Sequence, residues 1–234
     1  MKPHHPIRLA VLDMAGTTIA DGGLVIQAFE EAASIVGHDE IVLSDNGTPA
    51  PEVARQFALD TMGQPKIVVF REIFGDEDRA QLANRVFEDS YDRLIQEGQA
   101  EPIPGAEESI RALRGAGIKV ALTTGFSRVT KDRLLDALEW HEIADLTLAP
   151  SDAGRGRPYP DLVLTAALRL EIDDVKQIAV LGDTASDIAT GLSAGAQIVA
   201  GTLTGAHSAD ELTAAGATHI VSNVSDFAAL LLSR

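Results

Sequence analysis

The sequence contains no cysteine in 234 residues. That excludes a disulfide framework, a thiolate nucleophile and any cysteine-based metal centre. Basic residues are scarce as well, with 19 Lys and Arg against 35 Asp and Glu and a formal net charge of −16. Phosphate backbones and anionic membranes recruit basic patches, so neither nucleic acid nor a membrane surface is an expected partner. A phosphate held in a pocket stays possible, because a few cations and backbone amides suffice there. No apolar run is long enough to span a bilayer, and the opening MKPHHPIRLAVLD has no signal-peptide core. The expected location is cytoplasmic. Neither GxGxxG nor GxxxxGK[ST] occurs, which argues against dinucleotide and P-loop nucleotide sites. Internal repeats and low-complexity tracts are missing too.

What is present reads as a globular chain, with 45% hydrophobic and 23% charged residues. The length suits one sizeable domain with a smaller one inserted. Four short apolar runs are buried-strand candidates: Ile7–Leu12, Ile118–Thr123, Gln177–Leu181 and Gln197–Ala200. Leu146–Leu148 and Thr218–Val221 are weaker ones, nearer the edges. Helical patterns at Glu107–Arg114, Arg128–Leu138, Asp161–Leu170 and Ser186–Ala194 separate the later runs. This alternation predicts an α/β fold, a Rossmann-like parallel sheet covered by helices on both faces.

From about Gly22 to Gln99 the alternation stops. Leu24–Val36, Val53–Met62 and Leu82–Ile95 repeat apolar residues at helical spacing, and Ser44–Pro51 reads as a loop. The segment returns through Glu101-Pro-Ile-Pro-Gly105, a stiff linker. The expected organisation is an α/β core from residues 1–21 and 102–234, with an all-helical cap inserted at 22–101.

Ligands of open α/β sheets bind at the carboxyl ends of the strands, so polar residues there count most. The first strand ends in Asp13, the second in Thr123-Thr124-Gly125, and the fourth in Gly182-Asp183-Thr184 with Asp187 following. A basic turn, Gly154-Arg-Gly-Arg-Pro-Tyr-Pro160, precedes a helix. Singly, each is as well explained by a helix cap, a turn or a solvated charge. Together they make a site. Asp13 and Asp183 can share one hard cation, and magnesium suits two carboxylates plus waters. Thr124 and the Gly125 amide can hold phosphoryl oxygens, with Arg157 as a fixed cationic fork. Asp13 can then attack phosphorus and form an aspartyl-phosphate. A phosphate-ester hydrolase of this kind wants a second acid two residues on, to protonate the leaving group. That place holds Ala15.

The ordered set of Asp13, Thr124, Arg157 and Asp183–Asp187 is similar to the haloacid dehalogenase superfamily. More narrowly, Asp13-Met-Ala-Gly-Thr17 and Gly156-Arg-Pro-Tyr-Pro160 resemble the D-x-A-G-T and G-R-P-x-P of the phosphonatase (phosphonoacetaldehyde hydrolase) group. The resemblance covers nearly the whole chain. It implies magnesium on Asp13, Asp183 and the Ala15 carbonyl, with Asp187 supporting and Gly16 and Thr17 beside the substrate. It also implies a homodimer through the cap. A cap lysine after a Met-Gly pair is matched by Met62-Gly63-Gln-Pro-Lys66. Lys66 explains the vacancy at Ala15, because a carbon–phosphorus bond beside an aldehyde breaks once an amine has condensed to an iminium. Carbon then leaves as an enamine, without a proton from position 15. Two positions depart from the group, Val69 for a histidine and Phe126 for a tyrosine; His207 is the candidate substitute imidazole. The substrate is therefore expected to be phosphonoacetaldehyde or a relative. The alternatives are a phosphate-monoester phosphatase of the phosphoglycolate type and a non-catalytic phosphometabolite-binding protein.

Overall fold

The computed structural model describes residues 6–37, 41–43 and 50–233. The chain begins with β1 (Leu9–Asp13) and the short β2 (Ile19–Ala20), then runs through α1 (Leu24–Val36), α2 (Ala50–Asp60), α3 (Lys66–Phe74) and α4 (Glu77–Gln96). It returns by β3 (Glu101–Pro102), α5 (Ala106–Gly115), β4 (Lys119–Thr123), α6 (Arg128–Ala137) and β5 (Leu146–Leu148). Next come α7 (Asp161–Arg169), β6 (Ile178–Gly182), α8 (Ala185–Ser193) and β7 (Ile198–Thr202). The last elements are α9 (Ala209–Ala214), β8 (His219–Val221) and α10 (Val224–Leu232).

Among the described residues, six strands pair in parallel in the order β5-β4-β1-β6-β7-β8. The strand order reverses between β1 and β6, so a crevice opens where their carboxyl ends diverge. Every residue of β1 and β6 is buried, as expected of central strands covered on both faces. Alternate side chains take opposite sides. Leu9, Val11, Ile178 and Val180 pack with Leu162 and Val163 of α7, while Ala10, Leu12, Ala179 and Leu181 join the core that includes Ile110 of α5 and Phe227 of α10.

Among the described residues, helices alone fill the stretch between β2 and β3, apart from their connections. Phe29 of α1 stacks on Phe70 of α3 with ring centroids 5.4 Å apart, and Phe70 also meets Phe74 and Phe87. α4 starts where Asp76 accepts a hydrogen bond from the Arg79 amide at 2.9 Å, with Glu77 and Asp78 at its dipole-positive end.

Several boundaries differ from the sequence expectation. Asp13 belongs to β1, and Gln177 to a 3-10 turn before β6. α2 begins at Ala50, ahead of Val53, because Pro51 fits a first helical turn, where its missing N–H is not needed. Positions 44–49 of the expected loop lie outside the described residues. The supposed linker at Glu101–Pro102 pairs antiparallel with Ile19–Ala20, tying together the two chain crossings of the helical block. α3, α9 and α10 have no counterpart in the helical segments singled out by periodicity.

Candidate active site

Asp13, Asp183 and Asp187 are buried, and each offers a carboxylate oxygen within 4.8 Å of the others'. β1 delivers the first, the turn after β6 the second, and the first turn of α8 the third. Gly16, at φ +81°, allows the turn after β1 to pass Asp183; a Cβ there would lie 2.5 Å from Asp183 Oδ2.

One cation, Arg157, sits among these acids with only 4% of its surface exposed. Its guanidinium lies 2.5 Å from Asp13 Oδ1 and 2.9 Å from Asp187 Oδ1, and donates to Thr123 Oγ1 at 2.9 Å. Asp187 also accepts from the Thr184 amide at 3.1 Å and hydroxyl at 2.5 Å, capping α8. Asp183 accepts from Thr17 Oγ1 at 3.1 Å and the Ala206 amide at 2.8 Å. Burial lifts the Asp13 carboxyl well above its ordinary range, with Arg157 opposing and Asp187 and Asp183 adding. Burial, then Asp187, pushes Asp183 up to about 6. Three buried acids around one guanidinium leave the cluster short of positive charge. Its donors are all oxygen. That set fits a hard divalent cation such as magnesium.

A cavity of about 240 Å³ opens from this cluster to the helical block. Asp13, Ala15, Asp183, Thr124, Gly125 and Arg157 line it from the sheet, and Met62, Gly63 and Lys66 from the helices. Thr124 Oγ1 accepts the Phe126 amide at 3.1 Å, which fixes the turn after β4. Lys66 is the first residue of α3 and is buried, its amine 3.9 Å from Met62 Sδ. Burial lowers this amine to about 8; Asp21 opposes the shift and Arg157 supports it. A helix N-terminus disfavours a cation in the same direction.

The sequence-derived residues thus meet in one place, with three exceptions. Thr17 and Gly16, expected beside substrate, are not among the residues lining the cavity. Thr17 is fully buried with its hydroxyl spent on Asp183, and the Gly16 carbonyl accepts from Thr204 Oγ1 at 2.7 Å. His207 does not bring an imidazole to the cavity wall: its Nδ1 accepts the Ala185 amide at 2.9 Å and its Nε2 faces the Leu59 carbonyl at 3.5 Å. Phe126 packs on Tyr91 with ring centroids 4.7 Å apart. Asp21, which lines the cavity, was not singled out. Its place before Gly22-Gly23 reads as a turn former, and only its carboxyl group hinted otherwise.

Residues 7–195 match the family model for haloacid dehalogenase-like hydrolases. The chain belongs to that hydrolase family and, within it, to the phosphonatase-like group. It is 33% identical over 198 residues to a phosphonoacetaldehyde hydrolase of Syntrophobacter fumaroxidans, spanning 81% of this chain and 70% of that protein. The crystal structure of a phosphonoacetaldehyde hydrolase-like protein from Oleispira antarctica superposes with a TM-score of 0.80 at 26% identity, covering 98% of this chain and 93% of that one. A hydrolase from Pseudomonas syringae shares the fold at 21% identity, with a TM-score of 0.81 and coverage of 97% and 98%. Among the described residues, no helix is long and apolar enough to cross a membrane.

Proposed function

We propose that this hydrolase cleaves the carbon–phosphorus bond of phosphonoacetaldehyde or a closely related aldehyde phosphonate, with residues 22–101 acting as a cap over the core. One observation carries the reading. Lys66, an amine held near 8, opens onto the same cavity as Asp13, while position 15, where a phosphate-ester hydrolase would carry its leaving-group acid, holds Ala15.

In the proposed sequence, Lys66 condenses with the aldehyde and water leaves. The resulting iminium withdraws electrons from the carbon next to phosphorus. Asp13 attacks phosphorus, the carbon–phosphorus electron pair moves into the carbon–carbon bond, and the iminium nitrogen accepts the displaced pair as an enamine. Thr124, the Gly125 amide and Arg157 hold the phosphoryl oxygens, and Arg157 opposes the burial that favours a protonated Asp13. Water then hydrolyses the aspartyl-phosphate, while the enamine takes a proton at carbon and the imine is hydrolysed to free Lys66. Magnesium, held by Asp13, Asp183 and the Ala15 carbonyl with Asp187 in support, would offset the phosphoryl charge as it approaches the anionic nucleophile. A homodimer through the cap is part of the proposal, supported by exposed Ile35, Val68 and Leu82 on its helices and tested by sedimentation.

Phosphate release from a panel of phosphonates and monoesters, with and without magnesium, tests the reading. Preference for the aldehyde phosphonate is expected. Preference for a monoester would make the chain a phosphoglycolate-type phosphatase, and no release from any compound would leave a phosphometabolite-binding protein.

A further inference from the structure

Imine formation needs more than an amine. The attacking amine must shed a proton, and the carbinolamine hydroxyl must gain one to leave as water. Five titratable side chains line the cavity among the described residues: Asp13, Asp21, Lys66, Arg157 and Asp183. Asp13 and Arg157 are paired to each other, and Asp183 is bound by Thr17 and Ala206 on the sheet side. Arginine does not release its proton in proteins. Val69, on the next turn of α3 from Lys66, is a buried hydrocarbon, and His207 is turned to Ala185 and Leu59. Asp21 is the carboxyl group left over.

We propose that Asp21 is the proton relay for imine formation at Lys66, a role that rests on the imine reading of the site. Its carboxylate takes a proton from the Lys66 ammonium, which frees the amine to attack the aldehyde carbon. The new nitrogen–carbon bond places a proton on nitrogen, which passes to the carbonyl oxygen to give the neutral carbinolamine. The carboxylic acid of Asp21 then protonates that hydroxyl, the carbon–oxygen bond breaks, and water leaves. The products are the iminium and the Asp21 carboxylate, so the relay ends as it began and needs no external reactant.

Asp21 stands between β2 and α1, partly buried, with Oδ2 accepting the Gly23 amide at 3.2 Å and Oδ1 the Val25 amide at 3.3 Å. Those bonds aim the carboxylate and leave each oxygen a lone pair. Burial raises its affinity for a proton, and the two amides and then Lys66 oppose that. The other ionisable groups facing this corner do not compete. Tyr91 is driven upward, first by burial and then by Asp21 and Asp13, and stays un-ionised. Arg157 stays cationic beside Asp13 and Asp187, although burial works against its charge.

Capping of α1 is a simpler role for Asp21, and Asp21→Asn separates the two because a carboxamide oxygen still accepts from one of the two amides but cannot relay a proton. The experiment incubates the wild-type protein and Asp21→Asn with phosphonoacetaldehyde and borohydride at pH 7.5, following the adduct at Lys66 by mass spectrometry. The variant is expected to form the adduct roughly 100-fold more slowly, within the usual span for a general acid–base group, and added formate should restore part of the rate. An adduct forming in Asp21→Asn at the wild-type rate overturns the relay and leaves the imine reading standing. No adduct in the wild type overturns both. If Asp21→Asn does not fold, Asp21→Ser keeps a capping hydroxyl and carries the same expectation.

Discussion

A Cβ on Gly125 would lie 2.5 Å from the carbonyl oxygen of Gly63. The turn after β4 and the turn before α3 therefore touch backbone to backbone, with no room for a side chain. This contact sets where Met62 and Lys66 stand over the sheet. Gly125→Ala should push the Gly63 turn outward and lower kcat by roughly 10- to 100-fold, since small misplacements of reacting groups cost that much. Phosphate-release kinetics check it, and an unchanged kcat would contradict the positioning role.

Arg157 joins Asp13 and Asp187 in a buried network. Arg157→Ala leaves two buried carboxylates without their partner, a loss of about 3–5 kcal/mol where such pairs are broken. Urea unfolding should report that loss together with absent turnover. Arg157→Lys keeps the charge but lacks the fork that reaches both acids, and should fall between. A cost below about 1 kcal/mol for the alanine variant would rule out the network as a structural keystone.

The lowered amine of Lys66 gives a pH signature. Its neutral, nucleophilic form appears as pH rises through about 8, against ~10.4 for an unperturbed lysine. Competitive labelling with acetic anhydride, resolved by peptide, should show Lys66 half-reactive near that lower value. A midpoint close to the unperturbed one would mean that the buried environment does not persist in solution.

Asp183 supplies a second signature through stability. Its folded value of about 6 lies above the ~3.9 of an unfolded aspartate, so the metal-free fold binds that proton more tightly than the unfolded chain. Stability of the metal-free protein then falls as pH rises between those two values. Magnesium needs the ionised carboxylate and opposes the loss. Saturating magnesium should raise Tm by about 5 °C or more at pH 7.5 and far less at pH 5, and EDTA should abolish the gain. Equal shifts at both pH values would contradict magnesium binding at this carboxylate.

Much of this architecture was legible because strong, local signals agreed. The all-apolar Leu9–Leu12 run marks a central strand, and Asp13 and Asp183 follow such runs at a strand-order reversal. Less legible were features set by tertiary contact. Glu101–Pro102 is too short to show a strand period and pairs only because Ile19–Ala20 lies alongside. Thr17 belongs to a motif that suggests substrate contact, yet its hydroxyl reaches Asp183, 166 positions away. His207 had loop chemistry in its favour, but the free amide at the start of α8 claims its ring nitrogen. Asp21 was hidden by the two glycines that make it look like turn punctuation.

The central claim is that Lys66 forms an imine on the way to carbon–phosphorus cleavage. Borohydride added to the wild-type protein with phosphonoacetaldehyde and magnesium, followed by peptide mapping, tests it most directly. The account predicts loss of phosphate release together with a reduced adduct on the peptide carrying Lys66, and neither adduct nor turnover in Lys66→Ala. Phosphate release that survives borohydride, or wild-type turnover by Lys66→Ala, would contradict it and return the chain to the phosphate-monoester phosphatases.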